Sequence, residues 1–237
     1  MEIFSVSQMI QKEVTVVEDS RLNNYVITIA RGFGSGGRTI AGMLGDRLGI
    51  PSYEHRILAM ASRMTGRDED EFEEVDERLR GKSLADRLRG LQKRLSPHAE
   101  LNRFTSDDRL YEAEANIIRE LGKSENCIIV GKAADYVLKD QDNVLSVYIE
   151  APRDFCRKMV MDRMNIGPEE ADRLITSTDR YRADYYQYYS RGNYWTNPVN
   201  YDITLNSERF GLEKCVDMII NALQIKFDGK FHVNIAR

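Results

Sequence analysis

Eight consecutive residues, 32–39 (Gly-Phe-Gly-Ser-Gly-Gly-Arg-Thr), combine the types that hold an anion. Glycine reaches positive φ, so successive backbone N–H groups can turn inward around charged oxygens. A cation and a hydroxyl follow the last glycine directly, at Arg38 and Thr39. The spacing is that of a phosphate-cradling loop, Gly-x-x-x-x-Gly-Lys-[Ser/Thr], with arginine in place of lysine. Arginine keeps the charge, and its planar fork spans two phosphate oxygens where lysine acts as a point charge. Gly32, Gly34, Ser35, Gly36, Gly37, Arg38 and Thr39 are thus candidate ligands for the phosphates of ATP, and the Thr39 hydroxyl is the candidate ligand for magnesium. A glycine-rich turn that only joins two elements is the plain alternative. Position speaks against it, because the loop follows a strand pattern and opens a helix pattern.

Phosphoryl transfer asks the protein for in-line placement and charge neutralisation, not covalent chemistry. Candidate cations for the transferred group stand further along the chain. Arg153 and Arg157 are four apart, and Asp179 and Arg182 three apart, so each pair shares a helical face. Arg182 could reach the phosphates while Asp179 orients it or reads the acceptor, with Arg180 as a substrate-binding candidate between them. Lys132 follows an apolar run at the edge where open α/β sheets bind ligands. Arg56 and Arg63 flank the start of a charge-dense stretch and are further candidates for an acceptor phosphate. The alternative for all of them is ordinary pairing of surface charges along helices.

Other chemistries find less support. Cys127, Cys156 and Cys215 are far apart, and His55, His98 and His232 are scattered, so no metal-ligand spacing exists. Unpaired thiols fit a cytoplasmic protein. A net charge of −4 offers no basic footprint for nucleic acid. No basic start followed by an apolar run suggests a signal peptide, and no run nears the ~20 apolar residues of a membrane span. The tyrosines at 185, 186, 188, 189 and 194, with Trp195, read as packing more readily than as a base-stacking platform.

The elements that must position these residues follow from apolar patterning. Residues 25–30 form a β-rich run ending in the glycine cluster, and Ile40, Met43, Leu44 and Leu48 recur at helical spacing before Gly49 and Pro51. Strand, glycine loop and helix open a parallel α/β sheet. The continuous apolar runs 127–130 and 144–149 read as buried parallel strands, and 201–205 as the last strand. Helices are predicted over 107–121, closed by Gly122, over 211–225, and as one arginine-rich stretch from Pro152 to about Tyr189. Residues 68–95 read as a charge-dense helical hairpin stopped by Pro97. Residues 1–24 read as an appendage, either a short packed segment or an oligomer contact, which leaves homo-oligomerisation open. The expected class is α/β, a parallel sheet of about five strands with helices on both faces.

Several stretches also carry a likeness. The segment 27–38 (Ile-Thr-Ile-Ala-Arg-Gly-Phe-Gly-Ser-Gly-Gly-Arg) resembles the loop of the cytidylate kinase-like proteins, a branch of the P-loop nucleoside-monophosphate kinases whose loop also has arginine for lysine. Residues 48–53 and 128–136 are similar to later parts of that branch. So are Asp179 and Arg182 with Tyr185-Tyr186, and the segments 200–202 and 205–207. The resemblance spans roughly 25–223. It implies a P-loop kinase core with a helical monophosphate-binding insertion at about 56–105 and an arginine-bearing lid at about 153–195. It implies ATP and magnesium, small-molecule nucleotides as partners, and CMP or dCMP as acceptor. Another small phosphoacceptor, or a nucleotide-binding module without turnover, remains an alternative. The sequence departs from the pattern at Lys132, where arginine is usual, and at Ala133, where cytidylate kinases carry an aspartate.

Overall fold

In the computed structural model, residues 24–65 and 97–227 are described. The appendage, Asn24 apart, and the charge-dense stretch 68–95 lie outside them. Strand β1 (Val26–Arg31) opens with four β-branched residues, Val26 to Ile29. Val26, Ile27, Thr28 and Ile29 are all buried, as a strand covered on both sides must be. The other strands are β2 (Ser52–Tyr53), β3 (Cys127–Val130), β4 (Val144–Glu150) and β5 (Ile203–Asn206). They form one parallel sheet in the order β2-β3-β1-β4-β5, with Val26 opposite Cys127 on one side and Val144 on the other.

Helix α1 (Gly37–Leu48) leaves the β1 loop, and its face of Ile40, Ala41, Leu44 and Leu48 packs on the sheet. The C-terminal helix α8 (Leu212–Phe227) covers the same side with Val216, Ile219 and Leu223. On the other side lie α2 (His55–Thr65), α3 (Pro97–Ser124) and the short α4 (Ala134–Val137), through Ile57, Ile118, Leu121 and Ala134. The α/β sheet with helices on both faces is the class expected from the sequence. No described helix is long and apolar enough to cross a membrane.

A helix pair, α5 (Arg153–Met164) and α6 (Pro168–Tyr189), follows β4 and carries a small core of its own, with Cys156, Val160, Ala171, Leu174 and Ile175 buried. The sequence predicts one helical stretch here. Asn165 takes a left-handed conformation (φ 53), and Pro168 starts the second helix at its first turn, so the chain folds back. Pro97 likewise begins α3. Gly122 does not close that helix, which runs on to Ser124. Its end is fastened instead by Asn24 and Asn143, both donating to the Gly122 carbonyl at 2.9 Å. The short α7 (Ser207–Phe210) links β5 to α8.

Because β1 is central and its two neighbours are reached by connections running in opposite directions, the carboxyl ends of β1, β3 and β4 border a crevice. The glycine loop opens into it.

Candidate active site

The loop after β1 is shaped by its backbone. Gly34 and Gly36 have φ of 87° and 80°, and Gly36 caps α1 with no side-chain hydrogen bond, so the first-turn amides of α1 face outward as an anion site. Three close approaches explain the glycines. A Cβ at Gly32 would sit 2.4 Å from a Glu150 carboxylate oxygen, one at Gly34 2.6 Å from the Cys156 carbonyl, and one at Gly37 2.6 Å from the Arg31 Cβ. Ser35 is fully buried, and its hydroxyl donates to the Gly32 carbonyl at 2.9 Å. From below, Ser207 Oγ donates to the Ser35 carbonyl and, at 3.3 Å, to that of Glu150. Ser35 thus serves the loop's shape, while Arg38 and Thr39 stand exposed at the start of α1.

A cleft of about 480 Å³ opens over the loop, a size that suits a small molecule. Arg31, Arg38, Thr39, Glu54, Arg163 and Arg182 supply its polar lining. Glu54, just past β2, accepts from Arg31 NH2 with one oxygen and from Arg38 Nε with the other, both at 2.8 Å. Helix α6 reaches the loop from the far side. Asp179 Oδ1 accepts the Phe33 backbone N–H at 2.8 Å, and Arg182 NH1 donates to the Arg31 carbonyl at 3.0 Å. Asp179 and Arg182 also pair at 3.4 Å, and the guanidinium lies over the Phe33 ring.

These positions carry an electrostatic cost. Burial pulls the Arg182 pKa down to about 9, the positive charge of Arg31 adds to the fall, and Asp179 and Glu54 oppose it. Burial also raises Asp179 above the usual carboxylate range, against the pull of Arg182 and the Phe33 amide. Cations crowded in a partly dry cleft are stabilised by an anion such as phosphate. A magnesium ion fits as one carried by that phosphate. Among the described residues no cluster of three or more His, Cys, Asp or Glu could hold a metal by itself, but the Thr39 hydroxyl offers an oxygen donor of the kind magnesium takes beside phosphate and water.

Of the other candidates, Arg56, Lys132, Arg153, Arg157 and Arg180 do not line this cleft. Arg153 is bound by Asp172 (Nε to Oδ1, 2.8 Å) and by Thr176, and Arg157 by Asp172 and Asp154 at 3.1 and 2.6 Å. Both tie α5 to α6. Arg180 is exposed on α6, Arg56 is exposed in the first turn of α2, and Arg63 belongs to the same helix. Lys132, left-handed at φ 59, pairs with the buried Glu114 of α3 at 2.9 Å, and Tyr185 OH donates to the second Glu114 oxygen at 3.2 Å.

A model of the cytidylate kinase-like family matches residues 26–209. The chain belongs to the cytidylate kinase-like family. No curated protein sequence matches it. Among solved structures it is similar to an uncharacterized protein from Eubacterium ventriosum, at 23% identity and a TM-score of 0.61, over 84% of this chain and 98% of that one. Alignments also exist with a shikimate kinase from Bacteroides thetaiotaomicron (13% identity, TM-score 0.48, 84% and 98% covered) and a gluconokinase from Sinorhizobium meliloti (12%, 0.48, 88% and 99%). Family membership and the five-stranded parallel sheet make this a P-loop, nucleotide-binding protein of kinase type.

Within this family member, sequence reasoning passed over three charged side chains of the cleft: Arg31, Glu54 and Arg163. Arg31 was within sight, one residue before the loop. Glu54 and Arg163 carry no spacing signal, since they reach the loop from β2 and from the end of α5 only through the fold.

Proposed function

We propose that the protein transfers the γ-phosphoryl group of ATP to a nucleoside monophosphate, CMP or dCMP, giving the diphosphate and ADP. The observation that carries this reading is the grip of α6 on the loop. Asp179 holds the Phe33 amide and Arg182 holds the Arg31 carbonyl, so the cations of the helix pair and those of the loop face one cleft. In this reading the α1 amides and Arg38 hold the donor phosphates, and Thr39 holds magnesium. When bound, that ion neutralises phosphate charge. Arg182, and Arg163 with it, faces the phosphoryl group in flight, where developing charge is best met by fixed guanidiniums. Asp179 keeps Arg182 in place. The segments 56–105 and 153–195 act as the monophosphate-binding insertion and the lid, which exclude water from the γ-phosphate on closing.

The test is ADP release with ATP and magnesium against a panel of nucleoside monophosphates, the corresponding nucleosides, and small hydroxy acids. Turnover with CMP or dCMP, and none with cytidine, is expected. Turnover confined to the hydroxyl acceptors would overturn the reading, and so would no turnover with any of them.

A further inference from the structure

We propose that Arg31, held in orientation by Glu54, is the cation that takes the anionic group of the acceptor. The proposal rests on the phosphotransferase reading and names the residue that receives the second substrate.

Arg31 is the last residue of β1, and its side chain is only 15% exposed. Its stem lies against the loop, because a Cβ on Gly37 would meet the Arg31 Cβ. Its head lies across the end of β3, where a Cβ on Gly131 would come within 2.3 Å of Arg31 NH1. Gly131 has a φ of 76°, which an L side chain rarely adopts, so the floor under the guanidinium is bare backbone. One side chain thus runs from the donor loop to the β2–β3 edge of the sheet. At that edge Glu54, just past β2, meets the guanidinium.

Glu54 fixes the planar group. It binds one nitrogen of Arg31 and, with its other oxygen, Arg38 of the loop. A guanidinium has five N–H donors, so a carboxylate on NH2 leaves donors for a phosphate. Arg182 stands near enough for its charge and that of Arg31 to repel, and an anion seated between them removes that repulsion. Arg38 serves the donor side and Arg31 the acceptor side, with Glu54 setting the angle between them. The ligand class is a phosphate monoester dianion. Glu54 is a positioning residue and touches no substrate.

The experiment is a phosphorus NMR titration of inorganic phosphate into the full-length protein saturated with magnesium and the non-hydrolysable β,γ-imido analogue of ATP. Phosphate is expected to bind beside the nucleotide in the natural protein. Arg31→Met should weaken it about tenfold or more, Arg31→Lys less, and Glu54→Gln about threefold, with the nucleotide affinity of the two Arg31 variants kept within about threefold. Circular dichroism checks that each variant is folded, and Arg31→Lys serves if Arg31→Met is not. Phosphate binding that Arg31→Met and Arg31→Lys leave intact would overturn the proposal. So would equal loss of nucleotide and phosphate, or no phosphate binding beside the nucleotide in the natural protein. If phosphate behaves as expected while no nucleoside monophosphate is turned over, the acceptor reading falls and the anion site stands.

Discussion

Arg38 and Arg182 meet the same cleft under different constraints. Arg38 is half exposed and, among the described residues, held by Glu54, whereas Arg182 is largely buried and held by a carbonyl, a carboxylate and a ring. Arg38→Ala should therefore leave the melting temperature nearly unchanged and lower kcat at least about a hundredfold, with weaker ATP binding, as loss of a fixed charge at developing phosphate charge does. Asp179→Asn removes the charge that steadies Arg182 and weakens the bond to the Phe33 amide. It should lower kcat about tenfold to a hundredfold with a smaller change in KM for ATP, measurable by steady-state kinetics. The loop was readable in the sequence because its function lies in consecutive residues. The Arg31–Glu54 pair was not, because it needs β1 and β2 to end at the same side of one sheet.

Helix α6 is the element on which the site turns. It grips the loop through Asp179 and Arg182, α3 through Tyr185 and Glu114, and α4 through Tyr186 and Asp135. Arg153 and Arg157 act on the element by another route, since Asp172 binds both and joins α5 to α6. Single alanine substitutions of these two should lower kcat at least about tenfold less than Arg182→Ala does, if contact with the phosphates matters more than bracing the pair. Gly34 marks where α5 touches the loop. Gly34→Ala should cost roughly 2–4 kcal/mol in denaturant unfolding, through left-handed strain and the clash with the Cys156 carbonyl. Helical periodicity revealed the arginine-rich stretch but not its fold-back, because the turn depends on Asn165 adopting a left-handed backbone. Two-residue β2 is too short for any alternation to show, and residues 48–53 stood out only through their likeness to the family.

Across the whole molecule, stability carries a buried acid away from the cleft. Burial raises the Asp135 pKa from 3.8 to about 6, while the Tyr186 hydroxyl, 2.6 Å away, pulls it back down. Lys139, Lys226 and Asp202 share the groove beside it. A raised acid binds its proton more tightly in the folded state, so this group's contribution falls as pH rises from about 4 to about 6, by about 3 kcal/mol in all. Asp135→Asn keeps an acceptor for Tyr186 and should remove that dependence. Urea unfolding at pH 4 and pH 7 should show the variant gaining on the natural protein at the higher pH. The sheet itself was foreseeable from its apolar runs, because strands buried on both faces leave no polar alternation. In the proposed reading, the amides of residues 34–39 and the Arg38 guanidinium gather the phosphates of ATP. A crystal structure with magnesium and the β,γ-imido analogue tests it most directly: phosphate density against those amides and Arg38 is the result predicted, and nucleotide bound elsewhere with the loop empty would contradict it.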